Sequence, residues 1–452
     1  MESALAGALK PPTLSRMASN SCSSTSSSDD GAPGIARRPS IDDELKQPRI
    51  PGKTVYVLGS GFSVALGIPM IRDFVPLGLE LLKKENRQRK GEDGFDWDAR
   101  SKFIAKVIEI TNRYRRTLMG AVDHEPHIED MFSLADLLGE MLPVEGGRSA
   151  KVRDMLAAFL RIVCLWTYGL HESGETPACV VPRSHFMTKR YRMPEIEPSR
   201  GSVPADSVSG VCLYEAFLSQ VLSDMDPQTA AASEAIKEQG YAGPAIISLN
   251  YDLVVEKKLE RLQAKSDGEK HPRHFLGRGV DCCHPTFVRA RHWLPLIKLH
   301  GSADWKRNPG QHPGSLNDCI QTSDKPSLDW KLNEEPMVFP TWQRDSLEGT
   351  VFAKLLDEAR IHLRLASRIV FIGYSLPETD IYIRYLLADA LDTVELPAIE
   401  TANQFKTLEE ARSHVARVMG PRAARQLKEN YPEGLKGFVQ FHTDKSSFHP
   451  AP

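Results

Sequence analysis

Four short polar stretches, each directly after an apolar run, carry the groups in this chain that could do chemistry. Gly59-Ser60-Gly61-Phe62-Ser63 follows Thr54-Val55-Tyr56-Val57-Leu58, and Asn250-Tyr251-Asp252 follows Ala245-Ile246-Ile247-Ser248-Leu249. His300-Gly301-Ser302 follows Leu296-Ile297-Lys298-Leu299, and Gly373-Tyr374-Ser375 follows Arg368-Ile369-Val370-Phe371-Ile372. Without Cβ atoms at 59 and 61, the backbone can approach a pyrophosphate and aim its amides at it. A Gly-x-Gly turn also serves as a tight corner, and the usual dinucleotide fingerprint is incomplete, because its third glycine is missing at position 64. A histidine at a strand end suits a general base, and it can equally cap the strand. Asn250 and Asp252 suit ligand contacts or simple turn formation.

These stretches need a frame that brings them together. Short, continuously apolar runs mean burial on both faces, as in a parallel sheet covered by helices. The expected fold is therefore α/β, a Rossmann-like parallel sheet with helices on both faces, and ligands in such a fold bind beyond the carboxyl ends of the strands. All four polar stretches would then gather at one rim. A further strand is expected at Met337-Val338-Phe339, with helices near 348 to 366, 380 to 391 and 407 to 428 and a last strand at Gly437 to His442.

Between about 74 and 240 the pattern turns helical. Phe103, Val107, Ile110 and Tyr114 share one face, as do Ile128, Met131, Phe132 and Ala135, and Val152, Met155, Leu156, Phe159 and Val163. This predicts a large helical insertion in a domain spanning 51 to 445, with a proline-rich loop at Val181 to Ser209. Residues 1 to 50 are rich in Ser, Pro and Gly with few large apolar side chains, and a disordered tail is expected there.

Bulk properties narrow the function classes. The chain has 452 residues, 57 basic and 59 acidic side chains and a net charge of −2, so no global field would draw it to nucleic acid. The richest apolar run, Met155 to Leu170, is too short and too charged for a comfortable membrane span. Seven scattered cysteines do not form a disulfide framework, and a reducing cytoplasm is the expected compartment. His271, His274, Cys282, Cys283 and His284 offer metal-ligand atoms, but adjacent cysteines rarely both reach one ion and no C-x2-C pair exists, so a surface loop is the expected reading. A serine nucleophile at Ser375 with His442 as base would need glycine where Pro377 stands. Glu129 and Asp130 suit a helix start as well as an approach to a ligand.

Taken jointly, the motifs resemble the sirtuin-like superfamily. Gly59-Ser60-Gly61-Phe62-Ser63 with Gly67-Ile68-Pro69-Met70-Ile71-Arg72 is similar to its glycine turn, serine, Gly-Ile-Pro and arginine. Leu249-Asn250-Tyr251-Asp252 resembles its Asn-x-Asp, Lys298-Leu299-His300-Gly301-Ser302 its His-Gly-Ser, and Gly373-Tyr374-Ser375-Leu376 its late Gly-x-Ser-Leu. The variants Ile128-Glu129-Asp130, His300 to Trp305, and Gly373 to Pro377 with Asp380 look most like the divergent microbial branch, often met as NAD-hydrolysing defence effectors.

The resemblance implies roles. Gly59, Ser60, Gly61 and Ser63 would cradle the pyrophosphate of NAD, here a substrate, and Arg72 would close the cofactor loop. Asn250 and Asp252 would hold the nicotinamide ribose and the attacking water, His300 would be the base, and Gly373 and Ser375 would lie against the adenosine half. Departures matter equally. The family's four zinc cysteines are absent, with only Cys319 between His300 and Gly373, so no zinc is expected. The substrate-cleft Phe-Gly-Glu has no counterpart, Met70 and Ile71 replace the signature Asp and aromatic, and only Val394-Glu395-Leu396 offers a candidate for the strand whose Asn meets the adenine ribose.

The expectation is an NAD glycohydrolase releasing nicotinamide and ADP-ribose. A protein deacylase or ADP-ribosyl transferase comes next, then a silent NAD-binding sensor. The partners that the resemblance implies are NAD and, through the helical insertion, a second copy of the chain in a homo-oligomer; neither nucleic acid nor membrane is expected.

Overall fold

A computed structural model describes residues 48–64, 68, 70, 74–79, 105–109, 111–113, 116–117, 128–133, 159–160, 163–164, 210–224, 241–265, 275–278, 293–307, 320–322, 351–377 and 380–446. The first 47 residues, Arg72, the cluster His271, His274, Cys282, Cys283 and His284, the stretch Met337 to Phe339 and most of the 74 to 240 segment lie outside the described residues. The described parts of that segment are helical, including 74–79, 105–109, 128–133 and Gly210–Ser223.

Seven strands form one all-parallel sheet: β1 (Ile50–Leu58), β2 (Ala245–Ser248), β3 (Phe275–Arg278), β4 (Trp293–Lys298), β7 (Ala366–Ile372), β8 (Ala398–Ala402) and β9 (Leu427–Asn430). Their order is β3-β4-β2-β1-β7-β8-β9, while β5 (Trp305–Arg307) and β6 (Ile320–Thr322) make a separate antiparallel pair. This is an α/β, Rossmann-like sheet. Its strand order reverses between β1 and β7, which is where such sheets open a crevice beyond their carboxyl ends.

The apolar runs became strands because both of their faces find cover. On β1, Val55 and Val57 enter one core while Tyr56 and Leu58 enter the other, as the two-residue period of a strand requires. Ile369 and Phe371 against Val370 and Ile372 repeat the alternation on β7. The first core is closed by α4 (Val351–Leu365), α5 (Ile381–Ala390), α6 (Leu408–Met419) and α7 (Pro421–Arg425). The second is closed by α2 (Gly210–Ser223), α3 (Val254–Lys265) and α8 (Leu435–Ser446). One further turn of helix, α1 (Ser60–Ser63), directly follows β1.

The C-terminal third corrects three expectations. Residues 437 to 442 are helix, not strand, because Leu435 and Phe438 point together into the second core. The expected helix over 407 to 428 stops at Gly420, whose φ of +90° ends α6, restarts for one turn at Pro421, and gives way to β9. Val394 to Leu396 is no strand: Val394 is fully out in solvent. The strand after α5 is β8, four residues further on, with Glu400 in its middle. Arg368 makes that carboxylate tolerable by a two-pronged contact, 2.7 Å to each oxygen, and the Tyr431 hydroxyl donates to it at 3.0 Å.

Among the described residues no helix is long and apolar enough to cross a membrane, and no group of three or more His, Cys, Asp or Glu side chains could hold a metal ion.

Candidate functional site

Backbone hydrogen bonds continue the ladder one step past the strand ends and bring the four polar stretches to a common level. Leu249 N–H donates to Leu58 O at 2.9 Å, Leu299 N–H to Ser248 O at 3.0 Å, and Gly59 N–H to Ile372 O at 3.0 Å. With strand order β4-β2-β1-β7, the stretches sit side by side along one rim.

The glycines are explained first by the approach of two turns. Gly61 N–H donates to Gly373 O at 2.9 Å, and a Cβ on Gly59 would lie 2.7 Å from that same oxygen. Gly373 has φ +63°, and a Cβ there would fall 2.0 Å from Phe62 N. Side chains would hold the switch point open. Phe62 N–H is also engaged, donating to Gly59 O at 2.9 Å. Backbone packing therefore accounts for these glycines, and a pyrophosphate would meet the half-exposed Ser60 and the outer side of Gly61.

Beneath this turn Ser63, Asn250 and Asp252 form a buried knot. The Ser63 hydroxyl donates to Asp252 Oδ2 at 2.6 Å and accepts from Asn250 Nδ2 at 3.1 Å, while that amide also donates to Gly59 O at 2.9 Å. Because Gly59 O can only accept, the Asn250 amide is oriented, and its Oδ1 is the atom left to meet a ligand. Asp252 Oδ1 accepts from Val254 N–H at 3.0 Å and so caps the start of α3. Ser63 and Asp252 thus hold Asn250.

His300 stands beside this knot, with 9% of its surface exposed. Its Nδ1 lies 3.0 Å from Leu249 O. A carbonyl accepts only, so Nδ1 carries the hydrogen and the neutral ring keeps its lone pair on Nε2, the form a base needs. The half-exposed Tyr251 ring lies 5.9 Å from the imidazole at a 32° tilt.

Between the two turns lies a group the sequence did not single out for chemistry. The Lys298 ammonium donates to Asp252 O, to Ser302 Oγ at 2.8 Å and to Glu256 Oε1 at 3.0 Å. Burial, more than any neighbouring charge, pushes the Glu256 carboxyl above the usual range; Lys298 opposes this and Asp304 adds to it.

The turn after β7 is held from its far side. Asn403, the residue after β8, donates through Nδ2 to Tyr374 O at 2.8 Å, and His414 Nε2 donates to Ser375 O at 2.7 Å and Leu376 O at 3.1 Å. Leu376 has φ +52°, the left-handed region, and that bond helps keep it there. Ser375 itself is exposed and stands apart from the Ser63–Asn250–Asp252 knot. Asn403 follows a strand that the sequence reading did not find, and the clue to that strand was the β-branched period of Ile399 and Thr401 in a run interrupted by Glu400.

The 74 to 240 segment reaches this neighbourhood at Tyr214, whose hydroxyl donates to Phe62 O at 2.6 Å, and at Cys164. Phe159 and Val163 pack so closely on Gly78 that a Cβ there would lie 2.1 Å from Phe159 Cζ and 2.8 Å from Val163 Cγ2. Next to Val163, the Cys164 thiol is pushed far up by burial, with the Asp252 carboxylate adding to the shift, so it is not poised as a nucleophile.

No family model and no curated protein matches the chain. The likeness to sirtuins rests on the four motifs. What the arrangement can do is chemically specific all the same: a tautomer-fixed imidazole after β4 and an oriented carboxamide after β2 stand on the same rim as the switch-point turns, whose glycines let the backbones close in.

Proposed function

We propose that this rim binds NAD and hydrolyses its nicotinamide–ribose bond. The observation that carries the reading is the His300 ring, whose Nδ1 bond to Leu249 O leaves Nε2 as the basic nitrogen, beside an Asn250 amide held in one orientation. In the reaction a water oxygen bonds to the ribose C1′ as the bond to the pyridinium nitrogen breaks. Nicotinamide leaves neutral with the bonding pair, and the proton of the water passes to His300 Nε2. Asn250 Oδ1 orients the ribose or the water, which lowers the barrier by alignment. Ser63 and Asp252 act through Asn250. Ser60 and the outer side of Gly61 face the pyrophosphate, with Gly59 packing behind them, and Gly373, Ser375 and Asn403 face the adenosine half.

A silent nucleotide sensor is the second reading, favoured by one observation: both Asn250 N–H groups and both Asp252 carboxylate oxygens are bonded within the protein. An NADase must also be restrained, and self-association through the 74 to 240 segment is the restraint or trigger proposed here. A protein that is monomeric both at rest and at full activity would sink that part.

The test is incubation of the purified chain with NAD, following nicotinamide and ADP-ribose by chromatography beside Asn250→Ala and His300→Ala. Release by the parent alone supports the hydrolase. Binding without release, at high protein concentration as well, supports the sensor, and release only with an acetylated peptide supports a deacylase.

A further inference from the structure

We propose that Lys298 is a positioning residue of this site, its buried ammonium joining the Asn250 to Asp252 turn to the His300 to Ser302 turn and so setting His300 against Asn250. The inference rests on the hydrolase reading of the same rim and adds to it a residue that touches no substrate.

Lys298 is the last residue of β4 and only 2% exposed. An ammonium has three hydrogens, and all three are directed: to Asp252 O in the turn after β2, to Ser302 Oγ in the turn after β4, and to Glu256 Oε1 in the first turn of α3. Tyr251 O lies further off at 3.5 Å. The two turns meet again where Ala303 N–H donates to Tyr251 O at 2.8 Å and where His300 Nδ1 donates to Leu249 O. Lys298 is therefore the cation at the centre of a ring of bonds whose rim carries Asn250 and His300.

A charge is a costly way to fill this space. Two well-packed apolar side chains are often as stable as a buried ion pair or more so. An apolar pair, however, cannot grip a backbone carbonyl and a hydroxyl on two separate turns. Glu256 neutralises the ammonium, and the grip on the turns is what the lysine adds. Misplacement of a reacting group by about 1 Å can lower a rate by about 100-fold.

The experiment uses the full chain carrying Lys298→Met with Glu256→Gln, which removes the charge that Lys298→Met alone would leave buried, beside Glu256→Gln, which keeps the lysine and an amide oxygen to receive it. The double variant is expected to melt within a few degrees of the parent. Its kcat for NAD falls about 10- to 100-fold with KM within about threefold, and Glu256→Gln stays within about threefold of the parent on both.

A second readout needs no turnover. The nitrogen-15 spectrum of the His300 ring, assigned by its loss in His300→Gln, shows the fixed Nδ1–H tautomer in the parent and an exchanging ring in the double variant. A double variant with parental kcat and a fixed tautomer would overturn the proposal. So would one that does not fold, because Lys298 would then be a prop of the fold. A parent that releases no nicotinamide counts against the hydrolase reading, and the ring spectrum still decides the role of Lys298.

Discussion

The two ends of the sheet hold largely buried polar clusters of nearly the same composition. At the carboxyl end are Lys298, His300, Glu256 and Tyr251; at the amino end are Lys53, His362, Glu358 and Tyr241. Their wiring differs. Lys53 Nζ reaches Gly243 O at 2.5 Å and lies 3.1 Å from His362 Nδ1. An ammonium only donates, so that ring accepts on Nδ1 and carries its hydrogen on Nε2, the reverse of His300. Tyr241 closes the amino-end cluster by donating to Glu358 Oε2 at 3.2 Å and packing 5.1 Å from the His362 ring. The cation therefore binds its histidine directly at one end, and at the other it grips the turns around the histidine. A list of residue types does not separate the two clusters; the bonded ring nitrogen and the position at the opening end of the strands do.

The sharpest way to break this comparison is to remove each imidazole. His300→Ala is expected to lower kcat for NAD by about 10² to 10⁴-fold, the usual worth of a general base, with little change in melting temperature. His362→Ala is expected to leave kcat within about threefold and to cost about 2–4 kcal/mol of stability, for the lost packing and the lost partner of Lys53. Steady-state kinetics and thermal melts of both variants check the pair. Equal kinetic losses would mean that the amino-end cluster also serves the chemistry.

A smaller contrast lies one bond away from each histidine cluster's centre. Ser63→Ala strips a donor from Asp252 and an acceptor from Asn250, and it is expected to cost about 1–3 kcal/mol together with about a tenfold loss of kcat through the loosened amide. Tyr241→Phe removes the hydroxyl bond to Glu358 and is expected to cost about 1 kcal/mol with unchanged kcat. Kinetics on the two variants at matched folded fraction distinguish them. A Ser63→Ala variant with parental kcat would return Ser63 to the ordinary core.

Much of this frame was legible in the sequence, and the unread parts share a physical cause. β1, β2, β4 and β7 sit at the centre of the sheet, so both faces are covered and their runs are continuously apolar. β8 and β9 lie at the margin. Ala398-Ile399-Glu400-Thr401-Ala402 carries a carboxylate that only Arg368 and Tyr431, distant in sequence, make tolerable, and Lys428 and Glu429 in β9 are exposed. Gly437 to His442 reads as alternating, yet Leu435 and Phe438 at helical spacing meet Tyr56 and Tyr431 on the sheet face, and tertiary packing overrides the local pattern. Gly420-Pro421 is a stop signal, yet the expected helix over 407 to 428 ran through it. On the rim, the four polar motifs were readable because each directly follows a continuously apolar strand. Asn403 was hidden with its strand. The inward turn of Asp252 and the grip of Lys298 depend on contacts between elements about 190 and 46 residues apart, which no local spacing encodes.

The smallest expected effect concerns the charge that balances Lys298. Burial holds the Glu256 carboxyl above its ordinary value, so between the unfolded and folded values the native state binds more protons than the unfolded chain. Stability then falls as pH rises through that window: the Glu256 contribution is fully present below about 4.5, the unfolded value, and is lost as pH passes the folded value. Glu256→Gln removes the titration. Its melting temperature, measured in steps upward from pH 4.5, should fall less steeply than that of the parent while Lys298 still binds the amide oxygen. A parent whose stability instead rises more steeply than the variant's over that range would mean that attraction to Lys298 outweighs desolvation. The carboxyl-end cluster would then be a stabilising ion pair first and a device for holding two turns second.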